Sequence, residues 1–262
     1  MPPKLFMKKI PLLIDFDGVL KLGDLPAPGV KELFDFINEN KIPTCILSNS
    51  TLRTGEMVKE FFLSHNIPIN FPVITAFDAT LAYVKKNYKK VQVYCRENLI
   101  HHFDGLIDET NPEAIVVGDI EDRWNYKIVN DIFKKVLAGA ELVAMHKNKY
   151  WNPKGELLID AGAFITGIEF AASKESTVIG KPSPLYFSAA LEKINSENAE
   201  RFIMVGDDIE SDIIAAQNIG GTAILIYTGK SKYPLDESYR FTPDYETHSL
   251  NEVINILTTE LS

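Results

Sequence analysis

Two carboxylates, Asp15 and Asp17, follow the short apolar run Ile10–Ile14. In an extended chain alternate side chains point the same way, so both carboxylates face one side and Phe16 the other, while Gly18 frees the turn that follows. Acids at the carboxyl end of a parallel strand stand where open α/β sheets bind their ligands. A strand that simply ends in an Asp-Gly turn is the alternative, and this motif alone does not separate the two interpretations.

A second acidic group occupies the sequence GDDIESD at 206–212, after the apolar run Phe202–Val205. Asp207 ends the predicted strand, and Asp208 and Asp212 are expected on one face of a helix because they are four residues apart. An acidic helix N-terminus would explain one or two of these carboxylates, but not this density of acids. If the two acidic groups adjoin, their repulsion requires a cation. A few oxygen ligands favour Mg²⁺, completed by water and a substrate phosphate.

Two further segments could bind a phosphate group. The run Thr44–Leu47 leads into Ser48, Asn49 and Ser50, which are small hydrogen-bond donors ahead of a predicted helix whose N–H groups attract anions. A later strand leads into Gly-Lys-Pro-Ser-Pro, where the proline holds Lys181 in an extended conformation. Polar clusters also cap ordinary helices, and lysines usually lie on the surface, so each signal is weak by itself.

Short apolar runs alternate with amphipathic segments along most of the chain, which is typical of parallel strands covered by helices on both faces. The sequence therefore predicts the α/β class, with a doubly wound parallel sheet. Strands are predicted at Ile10–Ile14, Thr44–Leu47, Val91–Cys95, Ala114–Val117, Leu142–Met145, Thr177–Ile179, Phe202–Val205 and Thr222–Tyr227.

Composition limits the functions open to the chain. It carries 27 Lys and Arg against 36 Asp and Glu, and this net charge of −9 argues against nucleic-acid binding through overall charge. No apolar run is long enough for a membrane span, and the first one resembles a strand rather than a signal peptide. Cys45 and Cys95 both lie in apolar runs and are expected to be buried thiols. We therefore predict a cytoplasmic protein without nucleic-acid or membrane partners.

Two other phosphate-binding motifs fail on this sequence. Residues 228–231, Thr-Gly-Lys-Ser, resemble the end of a P-loop, but Ile224 stands where that loop requires glycine. No Gly-x-Gly-x-x-Gly follows a predicted strand, which argues against a dinucleotide site. The adjacent His101 and His102 lack metal-binding spacing and are expected in an amphipathic helix.

Four motifs in chain order, DFDGV, LSNS, GKPSP and GDDIESD, resemble those of the haloacid dehalogenase superfamily of phosphotransferases. The resemblance spans nearly the whole chain. The long stretch between the second and third motifs matches the subfamily IIA, or NagD-like, layout, in which an α/β cap domain is inserted there. Finer similarity at 116–133, at 146–164 and in the late YTGK is to the branch of phospholysine/phosphohistidine/inorganic pyrophosphate phosphatase.

The resemblance implies a Mg²⁺-dependent phosphatase that hydrolyses small phosphorylated molecules through an aspartyl-phosphate. It implies that Asp15 is the nucleophile and that Asp17 is first the general acid and then the base. The implied Mg²⁺ ligands are Asp15, the backbone carbonyl of Asp17, and Asp207, supported by Asp208 and Asp212. The implied ligands of the phosphoryl oxygens are Ser48, Asn49, Ser50 and Lys181.

The resemblance also implies a discontinuous core, 1–77 and 176–262, and an α/β cap, 78–175, that sets substrate preference. Candidate specificity residues lie in the stretches from His146 to Trp151 and from Asp160 to Phe164. The alternative is that Tyr150 and Trp151 pack the cap's own core. Several NagD-like relatives carry Asn-Pro-Asp where this chain has His-Lys-Asn at 146–148, so their substrate preference does not carry over.

Other functions remain open at this stage. A phosphotransferase or mutase would use the same core. A catalytically silent phosphate-binding module is typically marked by loss of Asp15, Asp17 or Asp207, and all three are present. The sequence does not define the physiological substrate or the oligomeric state, and a homodimer is among the alternatives.

Overall fold

The structure, a computed structural model, describes residues 9–151, 156–236, 239 and 241–262. Its packing divides the chain into two compact units. The first unit comprises Met1–Ser48, Gly55–Ile74 and Phe187–Ser262, and the second comprises Asn49–Thr54 and Thr75–Tyr186.

The strands, in chain order, are β1 (Leu12–Asp15), β2 (Lys21–Leu22), β3 (Leu25–Pro26), β4 (Thr44–Ser48), β5 (Val73–Thr75), β6 (Val91–Tyr94), β7 (Ala114–Val117), β8 (Glu141–Ala144), β9 (Tyr150–Trp151), β10 (Leu158–Ile159), β11 (Thr177–Val178), β12 (Ile203–Gly206), β13 (Thr222–Ile226) and β14 (Tyr245–Thr247). The α-helices are α1 (Val30–Asn40), α2 (Gly55–Ser64), α3 (Ala76–Asn87), α4 (Tyr126–Leu137), α5 (Ala161–Ala172), α6 (Pro184–Lys193), α7 (Ala215–Gln217) and α8 (Leu250–Glu260). Within the described residues, 3₁₀ helices span Glu97–Phe103 and Glu121–Arg123, and a π-helix spans Ile209–Ile214.

The first unit contains a sheet in the order β14-β13-β12-β1-β4-β5. Strand β1 pairs in parallel with β12 on one side and with β4 on the other, and β13 pairs in parallel with β12 and β14. The chain therefore leaves β1 in one direction across the sheet and later returns on its other side. That arrangement makes the carboxyl end of β1 the switch point at which doubly wound sheets bind ligands.

Apolar periodicity explains how helices cover this sheet. Helix α1 buries Val30, Leu33, Phe34 and Ile37 at the spacing of one helix face, and these side chains join the core formed by the strands. The helix follows Gly29, whose φ of 87° is in the left-handed region that glycine adopts without strain. The core of the first unit is thus continuous from the strand interiors to the inner faces of its helices.

The second unit contains its own sheet, in the order β11-β8-β7-β6, with parallel pairing between all neighbours. Helices α4 and α5 share a core with β7 and β8, built from side chains such as Ile132, Val136, Ile165 and Ile168. The antiparallel pair of β9 and β10 lies between β8 and α5 in the sequence.

The α/β class and the parallel sheets with flanking helices are confirmed, and every predicted strand is present. The sequence missed β5 and β14, which are the two edge strands of the first sheet, and the two-residue strands β2, β3, β9 and β10. These strands are only two or three residues long, and runs that short usually give a weak apolar pattern. His101 and His102 lie in a helix, as predicted, and it is a 3₁₀ helix that buries Leu99 and Phe103. Both cysteines are buried and free, as predicted.

The sequence assigned residues 49–54, 75–77 and 176–186 to the core. In the structure they belong to the second unit. The bounds of a functional cap domain stay a prediction. Across the part of the chain that the structure describes, no helix combines the length and apolar character needed to cross a membrane.

Candidate active site

The site begins where three neighbouring parallel strands of the first unit end. Strand β1 ends at Asp15, β4 ends at Ser48, and β12 ends at Gly206, directly before Asp207. Phe16 is fully buried and anchors the turn after β1, since its ring packs edge-on against those of Phe61 and Phe62 with centroids 5.5 Å away. Phe16 and Asp15 are both buried, whereas Asp17 is exposed, and the predicted alternation of these side chains stays a prediction.

Asp17 differs from Asp15 in exposure. The side chain of Asp17 is 46% exposed, whereas Asp15 is 5% exposed. One Asp17 oxygen, Oδ2, accepts a hydrogen bond of 3.1 Å from the Ser48 hydroxyl, and Oδ1 lies 3.4 Å from Lys21 Nζ. Gly18 turns the chain with a φ of 93°, as the sequence predicted. The Asp17 carboxylate is therefore open to solvent on one side and is oriented by Ser48.

Three buried carboxylates converge at the ends of these strands. One oxygen from each of Asp15, Asp207 and Asp212 lies within 4.8 Å of the others. Gathering three acids out of water is costly unless positive charge compensates them. Hard carboxylate oxygens, few in number, suit Mg²⁺, which keeps several waters and binds substrate phosphate. The donor set therefore fits the predicted cation.

The backbone fixes the orientation of Asp207. The Lys230 N–H donates to Asp207 Oδ2 at 2.6 Å, and the Ser231 N–H donates to the Asp207 carbonyl at 2.9 Å. Two glycines leave room for the carboxylate, since a Cβ would lie 2.3 Å from Asp207 Oδ2 at Gly18 and 1.9 Å from it at Gly229. Both distances are far below van der Waals contact, so any side chain there would displace the carboxylate.

Asp208 has a different environment from the one expected. The sequence placed Asp208 and Asp212 on one helix face, but Asp208 is the residue before the π-helix, and its Oδ1 accepts from the N–H groups of Glu210 and Ser211. Its Oδ2 pairs with Lys230 Nζ. Burial raises the pKa of Asp208, but the Lys230 ammonium and these hydrogen bonds outweigh burial and hold the pKa below its usual range. Asp212, fully buried within the π-helix, is the one that joins Asp15 and Asp207.

The other predicted phosphate ligands, Asn49, Ser50 and Lys181, belong to the second unit. Asn49 Nδ2 donates to the Lys181 carbonyl at 3.1 Å and to Asn148 Oδ1 at 3.2 Å, so these predicted residues are adjacent there. Ser50 Oγ accepts from the Leu52 N–H, and Lys181 is 2% exposed. A buried, fixed lysine differs from an ordinary surface lysine. The roles of these three residues in binding phosphate stay predictions.

A second buried polar cluster lies within the second unit. His146 follows β8, Asp119 follows β7, and Asp160 precedes α5, and all three are buried. His146 Nδ1 accepts the Asn148 N–H at 3.1 Å, and Nε2 lies 3.8 Å from Asp160 Oδ1. Burial lowers the pKa of His146, against the opposing effect of the Asp160 and Asp119 carboxylates, and burial raises the pKa of Asp160.

The aromatic pair Tyr150 and Trp151 lies in β9, where the side chains are 48% and 37% exposed. The alternative that both pack the core of the second unit is therefore wrong. Whether they contact a substrate remains a prediction.

Sequence reasoning missed the structural role of residues 228–231. From the sequence, Thr-Gly-Lys-Ser resembles only the end of an incomplete P-loop and forms part of the late YTGK similarity. The signal that could have found its role was its position, because it follows β13, the parallel neighbour of β12, and must therefore lie beside the end of β12.

Comparison with known proteins agrees with this arrangement. A family model described as haloacid dehalogenase-like hydrolase matches residues 12–106, and a HAD-hydrolase-like model matches residues 178–253. Phospholysine phosphohistidine inorganic pyrophosphate phosphatase of Mus musculus is 31% identical over 94% of this chain and 93% of its own length. Haloacid dehalogenase-like hydrolase domain-containing protein 2 of Bos taurus is 30% identical over 84% of each chain.

The structure of NagD from E. coli K-12 superposes with a TM-score of 0.82 at 26% identity, covering 94% of this chain and 98% of NagD. The chain belongs to the haloacid dehalogenase-like hydrolases, and within them to the NagD-like phosphatases of subfamily IIA. The family resemblance and the assignment to an enzyme class are thereby confirmed.

Proposed function

We propose that this protein is a Mg²⁺-dependent phosphatase that hydrolyses small phosphorylated molecules through an aspartyl-phosphate on Asp15. The observation that carries the proposal is the meeting of Asp15, Asp207 and Asp212 at the switch point of a parallel sheet. Membership of a phosphatase subfamily supports the same reaction class.

The first chemical step is nucleophilic attack by Asp15. A carboxylate oxygen of Asp15 forms a bond to phosphorus while the bond from phosphorus to the leaving oxygen breaks on the opposite side. Burial and the fixed turn at Phe16 hold this carboxylate in one orientation, which favours in-line attack.

Asp17 supplies and removes the proton. It donates a proton to the leaving oxygen in the first step. It then takes a proton from the water that attacks phosphorus, which releases inorganic phosphate and restores Asp15. Its partial exposure and its hydrogen bond from Ser48 support this role, since the group can recover its proton from solvent yet stay oriented.

Asp15 and Asp207 are the side chains proposed to hold Mg²⁺, with the carbonyl of Asp17, and Asp212 and Asp208 support them. The cation, when bound, neutralises charge on the phosphoryl oxygens. Ser48, Asn49, Ser50 and Lys181 are proposed to bind those same oxygens, as the family resemblance implies. Lys181 would add a positive charge and the others neutral donors.

The substrate is a small phosphorylated molecule, the cap domain sets which one, and the protein acts in the cytoplasm, where its two free thiols would stay reduced. Transfer of the phosphoryl group to a second substrate, as in a phosphotransferase or mutase, would use the same first step and differ only in the acceptor.

The test is phosphate release from a panel of sugar phosphates, nucleotides, pyridoxal phosphate, pyrophosphate and phosphoamino acids. We expect release of inorganic phosphate from at least one class, dependent on added Mg²⁺ and abolished by excess chelator. Strong turnover in excess chelator would contradict the metal requirement. Transfer of the group to an organic acceptor without phosphate release would favour the phosphotransferase.

A further inference from the structure

Residues 228–231, which we call the Thr228–Ser231 segment, have no role in the chemistry described above, yet they contact both acidic loops of the site. The segment follows β13, whose register places Leu225 beside Gly206 at the end of β12. The chain therefore emerges from β13 next to the loop that carries Asp207, within the same compact unit.

The segment holds Asp207 at two points. Its backbone donates to the Asp207 carboxylate through Lys230 N–H and to the Asp207 carbonyl through Ser231 N–H, at 2.6 and 2.9 Å. A carboxylate that accepts a short backbone hydrogen bond is restricted in rotation, since the donor cannot follow a rotating side chain. The Lys230 ammonium pairs with Asp208, and Ser231 Oγ accepts the Ile209 N–H, which fixes the residues after Asp207.

The same segment also contacts the loop after β1. The Thr228 hydroxyl donates to the Gly18 carbonyl at 2.6 Å, directly after Asp17. At Gly229 a Cβ would lie 1.9 Å from Asp207 Oδ2 and 2.9 Å from Gly18 Cα. Gly229 is therefore required for close approach rather than for an unusual backbone angle, because the Asp207 carboxylate fills the space that its side chain would need.

We propose that the Thr228–Ser231 segment positions Asp207 for metal binding, with Gly229 and Thr228 as the positioning residues. This inference rests on the proposed function, in which Asp207 holds Mg²⁺. Lys230 N–H and Gly229 fix the carboxylate itself, and Thr228 fixes the Asp17–Gly18 turn against which it packs. Residues that orient a metal ligand without contacting the metal commonly change the affinity for the metal by roughly 10–100-fold.

The test measures the affinity of the full-length, substrate-free protein for Mg²⁺ alone by calorimetry. Gly229→Ala should raise the Mg²⁺ dissociation constant by roughly 10–100-fold, the range typical for lost outer partners of metal ligands. Gly167→Ala is the matched control, because nothing lies within 4 Å of a Cβ at this helical glycine. It should bind Mg²⁺ as the wild type does.

A second pair of variants keeps the test valid if Gly229→Ala does not fold. Thr228→Val keeps the shape of threonine and removes the hydroxyl donor, and it should weaken Mg²⁺ binding about tenfold. Thr228→Ser retains the donor and should restore the wild-type affinity, which a merely structural role of the methyl group would not explain.

Asp207→Asn distinguishes a failure of the proposed metal site from a failure of the proposed positioning role. If Asp207→Asn weakens Mg²⁺ binding while Gly229→Ala and Thr228→Val bind as the wild type does, the positioning role is overturned and the metal site stands. If Asp207→Asn binds Mg²⁺ as tightly as the wild type, the metal site itself is overturned, and the positioning role with it.

Discussion

Each unit buries a cluster of polar side chains beyond the ends of its strands, but the contacts of these side chains differ. In the first unit, Asp15, Asp207 and Asp212 bring carboxylate oxygens within 4.8 Å of one another. In the second, Asp119 Oδ1 accepts the Glu121 N–H at 2.8 Å, and Asp160 Oδ1 accepts the Ala161 N–H at 2.6 Å.

This difference shows that a strand end predicts where polar groups gather, but not what they do there. In the second unit, backbone donors one or two residues away hydrogen-bond to Asp160 and Asp119, and the His146 imidazole lies beside Asp160. Asp207 and Asp212 of the first unit also accept backbone N–H groups, yet their oxygens still lie within 4.8 Å of each other and of an Asp15 oxygen. The acids of the first unit come from separate loops and concentrate negative charge, which favours a cation. We therefore assign the chemistry to the first cluster and a structural role to the hydrogen bonds of the second.

The largest effect should come from Asp15→Asn. Loss of the nucleophile should lower kcat by about 10⁴-fold or more, as for other covalent catalysts. Removing one of three neighbouring carboxylates relieves repulsion, so the melting temperature without Mg²⁺ should not fall. Steady-state kinetics and thermal melts check both points.

Asp160→Asn is the matched change in the second cluster, and we expect it to retain turnover of a small generic phosphate ester. If Asp15→Asn and Asp160→Asn both fold and lose kcat equally, the claim that only the first cluster carries the chemistry is contradicted.

The next largest effect distinguishes the acids that belong to the metal site from those that lie near it. Asp212→Asn should raise the Mg²⁺ concentration for half-maximal activity by roughly 10–100-fold, since Asp212 lies in the cluster. Asp208→Asn should raise it only a few-fold, because Asp208 caps the π-helix and pairs with Lys230. A larger increase in the half-maximal Mg²⁺ concentration for Asp208→Asn than for Asp212→Asn would show that Asp208, not Asp212, belongs to the metal site.

A smaller effect concerns the second cluster and pH. His146 Nδ1 accepts a backbone hydrogen bond, so protonation there would break it, and burial also lowers the pKa of His146. The unfolded chain binds this proton near the ordinary value of 6.5, whereas the folded chain binds it only at lower pH. The free energy of unfolding should therefore decrease as the pH falls below 6.5, by up to about 1.4 kcal/mol per pH unit.

His146→Gln provides the comparison for that effect, because its amide oxygen can accept the same N–H without titrating. The variant should show a shallower dependence in denaturant unfolding below pH 6.5. The raised pKa of Asp160 contributes with the opposite sign, as pH rises above 3.8, so the difference between the two proteins is the quantity to measure. Identical slopes would mean that His146 is not held neutral.

The smallest effect on stability is expected at Tyr150. Because its side chain is 48% exposed, Tyr150→Ala should change the free energy of unfolding by no more than about 0.5 kcal/mol. If the second unit sets substrate preference, the variant should alter the ranking of substrates by kcat/KM while a small generic ester is hydrolysed as before. An unchanged ranking would place specificity at other residues of that unit.

Much of the first cluster could be predicted from the sequence, for a physical reason. Asp15, Ser48 and Asp207 follow continuous apolar runs, and burial of those runs in a parallel sheet brings their ends to one edge. What could not be predicted depends on local backbone geometry. The π-helix places Asp212 rather than Asp208 in the cluster. A sequence pattern read at α-helical spacing does not predict a π-helix.

The role of Gly229 was missed for a related reason. Gly229 does not adopt the left-handed backbone conformation that would mark a glycine as required, and its importance is visible only in the structure, where the Asp207 carboxylate occupies the space of a side chain. Likewise, the sequence placed His146 and Asp160 among the candidate specificity residues, but it did not indicate the backbone hydrogen bonds that these side chains accept.

The most direct test of the central claim is to identify the residue that carries the phosphoryl group. Asp17→Asn should slow hydrolysis of the intermediate, whereas an aryl phosphate, whose leaving group departs without a proton, should still form it. Acid quenching during turnover of such a substrate should therefore trap phosphorylated protein. Mass spectrometry of its peptides should then place one phosphoryl group on Asp15. Phosphorylation of His146 instead, or label that persists in the Asp15→Asn variant, would contradict the assignment of the chemistry to the first cluster.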